Sequence, residues 1–526
     1  MLHDLRRSLL DLEQGSCREK RSFTLAPRLE VEVYPRSIHF EAGACLALAT
    51  RGTEKALWAL AESRGSGILE SLEGETLTGG QDLRIKRCPL HHANAVILRD
   101  TFAFLRPAAV GPGNSIGLGD RLGLAGPGHL RAVAGSGVAP VLAQQSIREL
   151  ERTRRGAEEV LDAATWAAFE EGYRGGFGAD ADHLKTVEDL DRMLGAGFTM
   201  FTLDPGEAVD QRADQYDAQA LETRFAALPW RELEQDPRDA VSRCAERKIR
   251  LELGITLEPS RADGVRAWVK YGAAVVRVSR LHRHLLARAG PAGFELEVSV
   301  DETESATTPV EHYFLASEFR RLGVGFASLA PRFVGGFEKG VDYRGDLGVF
   351  REEYGRHLAV CLTLGGYKLS FHSGSDKFRA YEVVASFAES RFHIKTAGTS
   401  YLEALRTLAA CEPGLFREIL GFSQECYEQE KRSYHVSADP GRLPSARDLA
   451  DRDLAGLLDQ EDARQVLHVC YGRVLTAAVS TGGPRFKPRI LECLARNEAV
   501  HYGFLERHIR RHLEPFGLTG KRLREG

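Results

Sequence analysis

The sequence predicts an α/β protein built on a (β/α)8 TIM-like barrel, with an N-terminal α+β cap, an insertion after strand 4 and a helical C-terminal extension. Three observations predict it. From about residue 111 one grammar recurs: a short apolar or β-branched run, then a cluster of Asp, Glu, His, Lys or Ser, then a stretch with helical spacing. Eight such runs occur, the number that lets a parallel sheet joined by right-handed crossovers close on itself. The chain of 526 residues is 43% hydrophobic, enough to bury one large core with appendages.

In chain order, residues 1–110 hold alternating stretches such as RLEVEVYP and read as the cap. The barrel, 111–400, takes its strands from NSIGLG (114–119), APVLAQQ (139–145), GGFGADA (175–181), FTMFTLD (198–204), FELEVSV (294–300), GVGFASLA (323–330), YKLSFH (367–372) and FHIKT (392–396). The fourth and fifth runs lie about 90 residues apart, too far for one ordinary crossover, so an inserted subdomain is expected over about 208–290. It includes a charged helix at ALETRFAALPWREL, a strand at IRLELGIT and the helical RADGVRAWVKYGAAVVRVSRLHRHLL. Residues 401–526 become helical.

Charge and cysteines exclude several classes. A formal charge of −4, from 70 basic and 74 acidic residues, gives no field favouring nucleic acid or an anionic membrane. The nine cysteines show no C-x-x-C spacing and read as reduced thiols. No window approaches a membrane span, and MLHDLRRSLLDLEQG lacks a secretory core, so a cytoplasmic metabolic enzyme is expected, a homo-oligomer being compatible.

In a parallel barrel every strand delivers its C-terminal end to one face, so polar residues after each run converge. A lone Asp or Ser there is commonly a helix cap, but a ring of acids and bases is costly to gather without function. In GADADH, Asp182 precedes His183, so a proton-transfer group sits beside a metal ligand. His372 of FHSGSDKF would face His183 across the barrel, and two histidines with a carboxylate make a catalytic site for Zn, Mn, Ni or Co. The carboxylate is Glu338, Asp301 or Asp204, with Glu338 preferred. Alternation in ELEVSVDETES puts Glu297, Ser299 and Asp301 on one face, and Glu297 is the preferred acid/base partner of Asp182. The turn at Ser373 to Asp376 can nest an anion, with Arg332, Lys339 and Lys395 as countercharge. Asp120, Arg121, Gln144 and Gln145, at the ends of the first two runs, complete the expected substrate contacts. GLGDRLG has its third glycine displaced from the dinucleotide fingerprint and reads as a tight turn.

Taken together, GLGDRLGLAGPGHL, LAQQSIRELERT, GFGADADHLKT, FELEVSVDETES, SLAPRFVGGFEKGVDYRGD, YKLSFHSGSDKF and HIKTAGTSYLEALR resemble the tagaturonate epimerase family of bacterial hexuronate catabolism. The resemblance implies a divalent-metal-dependent interconversion of D-tagaturonate and D-fructuronate, with Asp182 and Glu297 as the proton-transfer pair and His183 and His372 as ligands. It extends to uncharged ketohexoses such as tagatose and fructose. The two sugar acids differ at the carbinol carbon β to the ketone, whose hydrogen the carbonyl does not acidify; retro-aldol cleavage and re-addition inverts it where enolisation does not. The rivals are a Schiff-base aldolase using Lys395 or Lys368, a metal-dependent sugar (phosphate) aldolase, and a non-catalytic sugar-acid binding protein.

Overall fold

A computed structural model describes residues 7–9, 11–12, 18–62, 67–78, 83–290, 293–480 and 482–518. Its centre is a closed barrel of eight parallel strands: β1 (Ser115–Gly117), β2 (Ala139–Ser146), β3 (Gly178–Leu184), β4 (Met200–Leu203), β5 (Glu295–Ser299), β6 (Ser328–Ala330), β7 (Lys368–Phe371) and β8 (Phe392–Lys395). Each falls within or overlaps one of the eight predicted runs. They neighbour one another in sequence order, and β8 closes on β1 through His393 opposite Ser115 and Lys395 opposite Gly117. Ile116, Val141, Ala179, Phe201, Val298 and Leu329 are fully buried, as expected of strands covered on both faces.

The segment before the barrel is an antiparallel sheet running from Arg21–Ala26 to Leu83–Cys88, followed by a helix, His92–Thr101. Between β4 and β5 lie short helices and a small hairpin pairing Ile249 with Leu257. The expected insertion is only partly extra: the long helix Arg261–Ala289 at its end packs beside Pro309–Arg321, the helix that follows β5, and so serves as the crossover of the fourth βα unit.

The ring of helices closes unexpectedly. Helix α1 (Gly126–Val133) follows β1 and α2 (Phe378–Ala385) follows β7. The position between them is taken by α3 (Glu498–Leu513), the last long helix described, whose Ile509 and Leu513 enter the barrel's core. The segment directly after β8, Thr399–Cys411, instead joins a second core shared with residues 413–494. The extension is therefore part of the barrel's wall. The eight described cysteines are free thiols, most of them buried; Cys17 lies outside the described residues. Among the described residues no helix is long and apolar enough to cross a membrane.

Candidate active site

The C-terminal strand ends open into a cavity of about 540 Å³ lined by residues at or after the ends of five of the barrel strands and by residues of the extension. On its floor His183 and His372 meet edge to face, with His183 Nε2 3.2 Å from His372 Nδ1. Asp182 supplies a third donor, and one ligand atom from each of Asp182, His183 and His372 lies within 4.8 Å of the others. His183 stands at φ 53, a conformation a non-glycine residue seldom takes, at a cost of about 1–3 kcal/mol. The turn swings its ring off the strand toward His372, and Asp204 Oδ2, 3.3 Å from Nδ1, holds it there.

Electrostatics at this point favour gathered positive charge. Burial would lower His183, but Asp182, the hydrogen bond to Asp204, and the charges of Asp301 and Glu302 outweigh it and push the imidazole up to about 10. Burial opposes ionisation of Asp182, yet Lys395, His183 and His372 hold its carboxyl well below the usual range. Two imidazole nitrogens 3.2 Å apart can share only one proton between them. A divalent cation would satisfy both, and this donor set, neutral imidazoles with a carboxylate, suits one.

Beneath the histidines runs a buried ion network. Lys395 Nζ contacts Asp182 at 2.6 Å, Glu297 at 2.8 Å and Asp180 at 2.9 Å. Its burial cost is exceeded by these three carboxylates, so its ammonium is held well above the ordinary value. Glu297 is entirely enclosed: one oxygen takes His372 Nε2 at 2.5 Å and Lys395, the other takes Ser328 Oγ at 2.5 Å. Both oxygens of Glu297, expected from the sequence as an acid/base, have hydrogen-bond or ion-pair partners, and Glu297 is not among the residues that line the cavity. With Nε2–H donated to Glu297, His372 presents Nδ1 upward, the usual service of a carboxylate behind a metal-binding histidine. Of the cavity-lining acids Asp301, Glu302 and Glu304, Asp301 lies 3.5 Å from His372 Nδ1 and accepts from Ser299 Oγ.

Other expected contacts separate into three groups. Arg332, Lys339 and Ser373 line the cavity, although Arg332 also donates to the Thr303 carbonyl. Gln144 faces the barrel interior and donates to Asp182 at 3.1 Å; strand alternation turns Gln145 to the opposite face. Four residues are committed elsewhere. Glu338 accepts from Ser437 and Gln465 of the extension, which occupies the carboxylate expected on the metal. Asp376 is buried between Arg464 at 2.6 Å and His508 at 2.5 Å, anchoring the extension. Asp120 caps its own loop through the amides of Leu122, Gly123 and Ala125. Arg121 pairs with Glu149 and stacks 3.5 Å over Tyr471. Sequence reading missed Arg148, Tyr434 and His435, all on the cavity wall.

A family model described as tagaturonate epimerase matches residues 34–516. The chain belongs to the tagaturonate epimerase family. The family is one of isomerases, and this chain is an epimerase of that class. A relative from Thermotoga maritima, tagaturonate/fructuronate epimerase, is 41% identical over 427 residues, covering 81% of this chain and 85% of its own. The native crystal structure of fructuronate-tagaturonate epimerase from Cohnella laeviribosi superposes with a TM-score of 0.86 at 36% identity, covering 93% of this chain and 96% of that one. A glycerol complex of the same Cohnella protein gives 0.87, with the same identity and coverage.

Proposed function

We propose that this chain interconverts D-tagaturonate and D-fructuronate with the help of a divalent cation held by Asp182, His183 and His372. The observation that carries the reading is the pair of opposed imidazoles, His183 and His372, ringed by carboxylates at the barrel mouth. A cation bound there supplies Lewis acidity, stabilising negative charge on the substrate's ketone side.

The chain's own groups then account for proton traffic. Asp301 faces the cavity beside the imidazoles, so its carboxylate takes the proton of the carbinol hydroxyl as the carbon–carbon bond of a retro-aldol step opens. The same group returns that proton after the aldehyde has turned its other face. Ser299, donating to Asp301 at 2.5 Å, fixes the carboxylate's orientation. Glu297 and Lys395 hold His372 and Asp182 in place and never meet the substrate.

The Schiff-base rival needs a neutral amine. Lys395 lies among three carboxylates that keep it charged, and Lys368, at the start of β7, donates to the Gly111 carbonyl and Ser115 Oγ at the far end of the barrel. Neither amine is available to the cavity.

The test is turnover of D-tagaturonate followed by NMR, with protein stripped of metal by chelation and reloaded with Mn, Zn, Ni or Co. Activity should vanish on stripping and return on reloading. Asp301→Asn should lower kcat by about 10²–10⁴-fold with little change in KM. Chelator-resistant turnover would reject the metal reading, and full activity in Asp301→Asn would reject the proton assignment. Turnover of D-tagatose, measured in parallel, decides whether uncharged ketohexoses are substrates.

A further inference from the structure

Lys339 stands apart from the other cations of the cavity wall. Arg332 is tied to the Thr303 carbonyl, and Arg148 pairs with Glu302 at 3.5 Å. Lys339 has no hydrogen-bond or ion-pair partner for its ammonium among the described residues, and burial, aided by the charge of Arg148, pushes that ammonium below its ordinary value against the opposing charges of Asp301 and Glu302. A buried cation with no direct partner in a cavity implies that a ligand provides one.

The backbone around Lys339 is fastened more firmly than a surface loop requires. Lys377 Nζ donates to the carbonyls of Glu338 at 2.7 Å and Val341 at 2.5 Å, one on each side of Lys339. Arg464 Nε donates to the Gly340 carbonyl at 2.8 Å, and Gln465 Nε2 to the carbonyl of Lys339 itself at 3.3 Å. The Glu338 side chain is pinned by Ser437 and Gln465. Every neighbour of Lys339 is thus fixed while its side chain is left to the cavity. That is preorganisation for a ligand group rather than for the fold.

Arg148 comes from the opposite wall. Its pair with Glu302 is between side chains each 43% exposed, a weak link that an incoming anion can replace. Arg148, Arg332 and Lys339 line this cavity together with Asp301, Glu302 and Glu304, and the anion that the proposed sugar-acid substrates bring to it is a carboxylate.

We propose that Lys339, with Arg148 across the cavity, binds the terminal carboxylate of the sugar acid and that this pair sets the preference for hexuronates over uncharged ketohexoses. The assignment rests on the proposed epimerase reading, and a binding measurement separates the two. Calorimetry with metal-loaded and metal-stripped protein uses D-galactonate, its uncharged counterpart galactitol and fructose 6-phosphate. The native chain should bind galactonate more tightly than galactitol. Lys339→Met and Arg148→Gln should each weaken galactonate by about 10- to 100-fold, the loss of one charge-assisted contact, and leave galactitol unchanged, which also shows that the variants fold. An unchanged galactonate affinity in both variants, or no acid preference in the native chain, overturns the proposal. Tighter binding of the phosphate than of galactonate overturns the choice of a carboxylate. If the acid preference disappears as expected while the native enzyme does not turn over D-tagaturonate, the epimerase reading falls and the carboxylate site stands.

Discussion

The carboxylate of Glu297 receives His372 Nε2, Lys395 Nζ and Ser328 Oγ in a place no solvent reaches. It decides which nitrogen of His372 carries the proton, and so which one is free to coordinate. Glu297→Gln keeps the shape and removes the charge, so cation affinity should fall by about 10- to 100-fold. Calorimetric titration of stripped protein with Mn or Zn checks this, and an unchanged Kd would deny Glu297 its orienting part. Residue types at strand ends were legible in the sequence: Asp182, His183 and His372 do converge. Direction was not. Glu297 lies within β5 and Asp301 just past its end, and the four residue steps between them, about 3.3 Å each along a strand, separate a floor position from a cavity position. Glu338 and Asp376 were drawn elsewhere by partners in the extension, and no local pattern announces a partner so distant in sequence. Asp120 had a readable signal, since an Asp two or three residues before a tight glycine turn commonly accepts the turn's own amides.

At the scale of elements, all eight strands were visible because a strand buried on both faces writes a continuous apolar run ended by polar residues. The loops after them were not, because their courses follow the extension that covers them. Tyr434 and His435 reach the cavity from a stretch with no periodic pattern at all. The loop carrying Lys339 depends most on Lys377, whose ammonium is the donor to three backbone carbonyls, those of Glu338, Val341 and Ser375. Lys377→Met should lower the free energy of unfolding by about 2–4 kcal/mol, since three buried acceptors lose their donor. Urea denaturation measures that loss, and a matching rise in KM for the sugar acid would show that the loop's position is what suffered. A variant as stable as the native chain would mean that water replaces the ammonium.

For the whole molecule, the most general consequence is acid sensitivity. Burial pushes His39, His129, His357 and His501 down to about 4, and His393 and His512 down to about 3. In the unfolded chain these imidazoles titrate near their ordinary value of about 6.5. Between about pH 6.5 and 4 the unfolded chain therefore binds more protons than the folded one, so stability is present above this window and is lost as pH falls through it. Asp180, pushed up by burial to about 6 against the pull of Lys395, works in the opposite sense and offsets a small part. The melting temperature of stripped protein should drop steadily from pH 7 to pH 4.5. A flat profile would mean that these histidines are charged in the folded state.

The placement of α3 between α1 and α2 also bears on how the protein is made. A ribosome releases all eight strands long before Glu498–Leu513 emerges, and until then the seam between the first and seventh helices stays bare, exposing apolar surface together with Asp376 and Glu403, the two carboxylates that His508 will bridge. Glu498, at the start of α3, also pairs with Lys55 and Tyr34 from the sheet translated first. Segments more than 400 residues apart thus lock together in one late step, and contacts of that range slow folding and leave an open apolar seam prone to aggregation until they form.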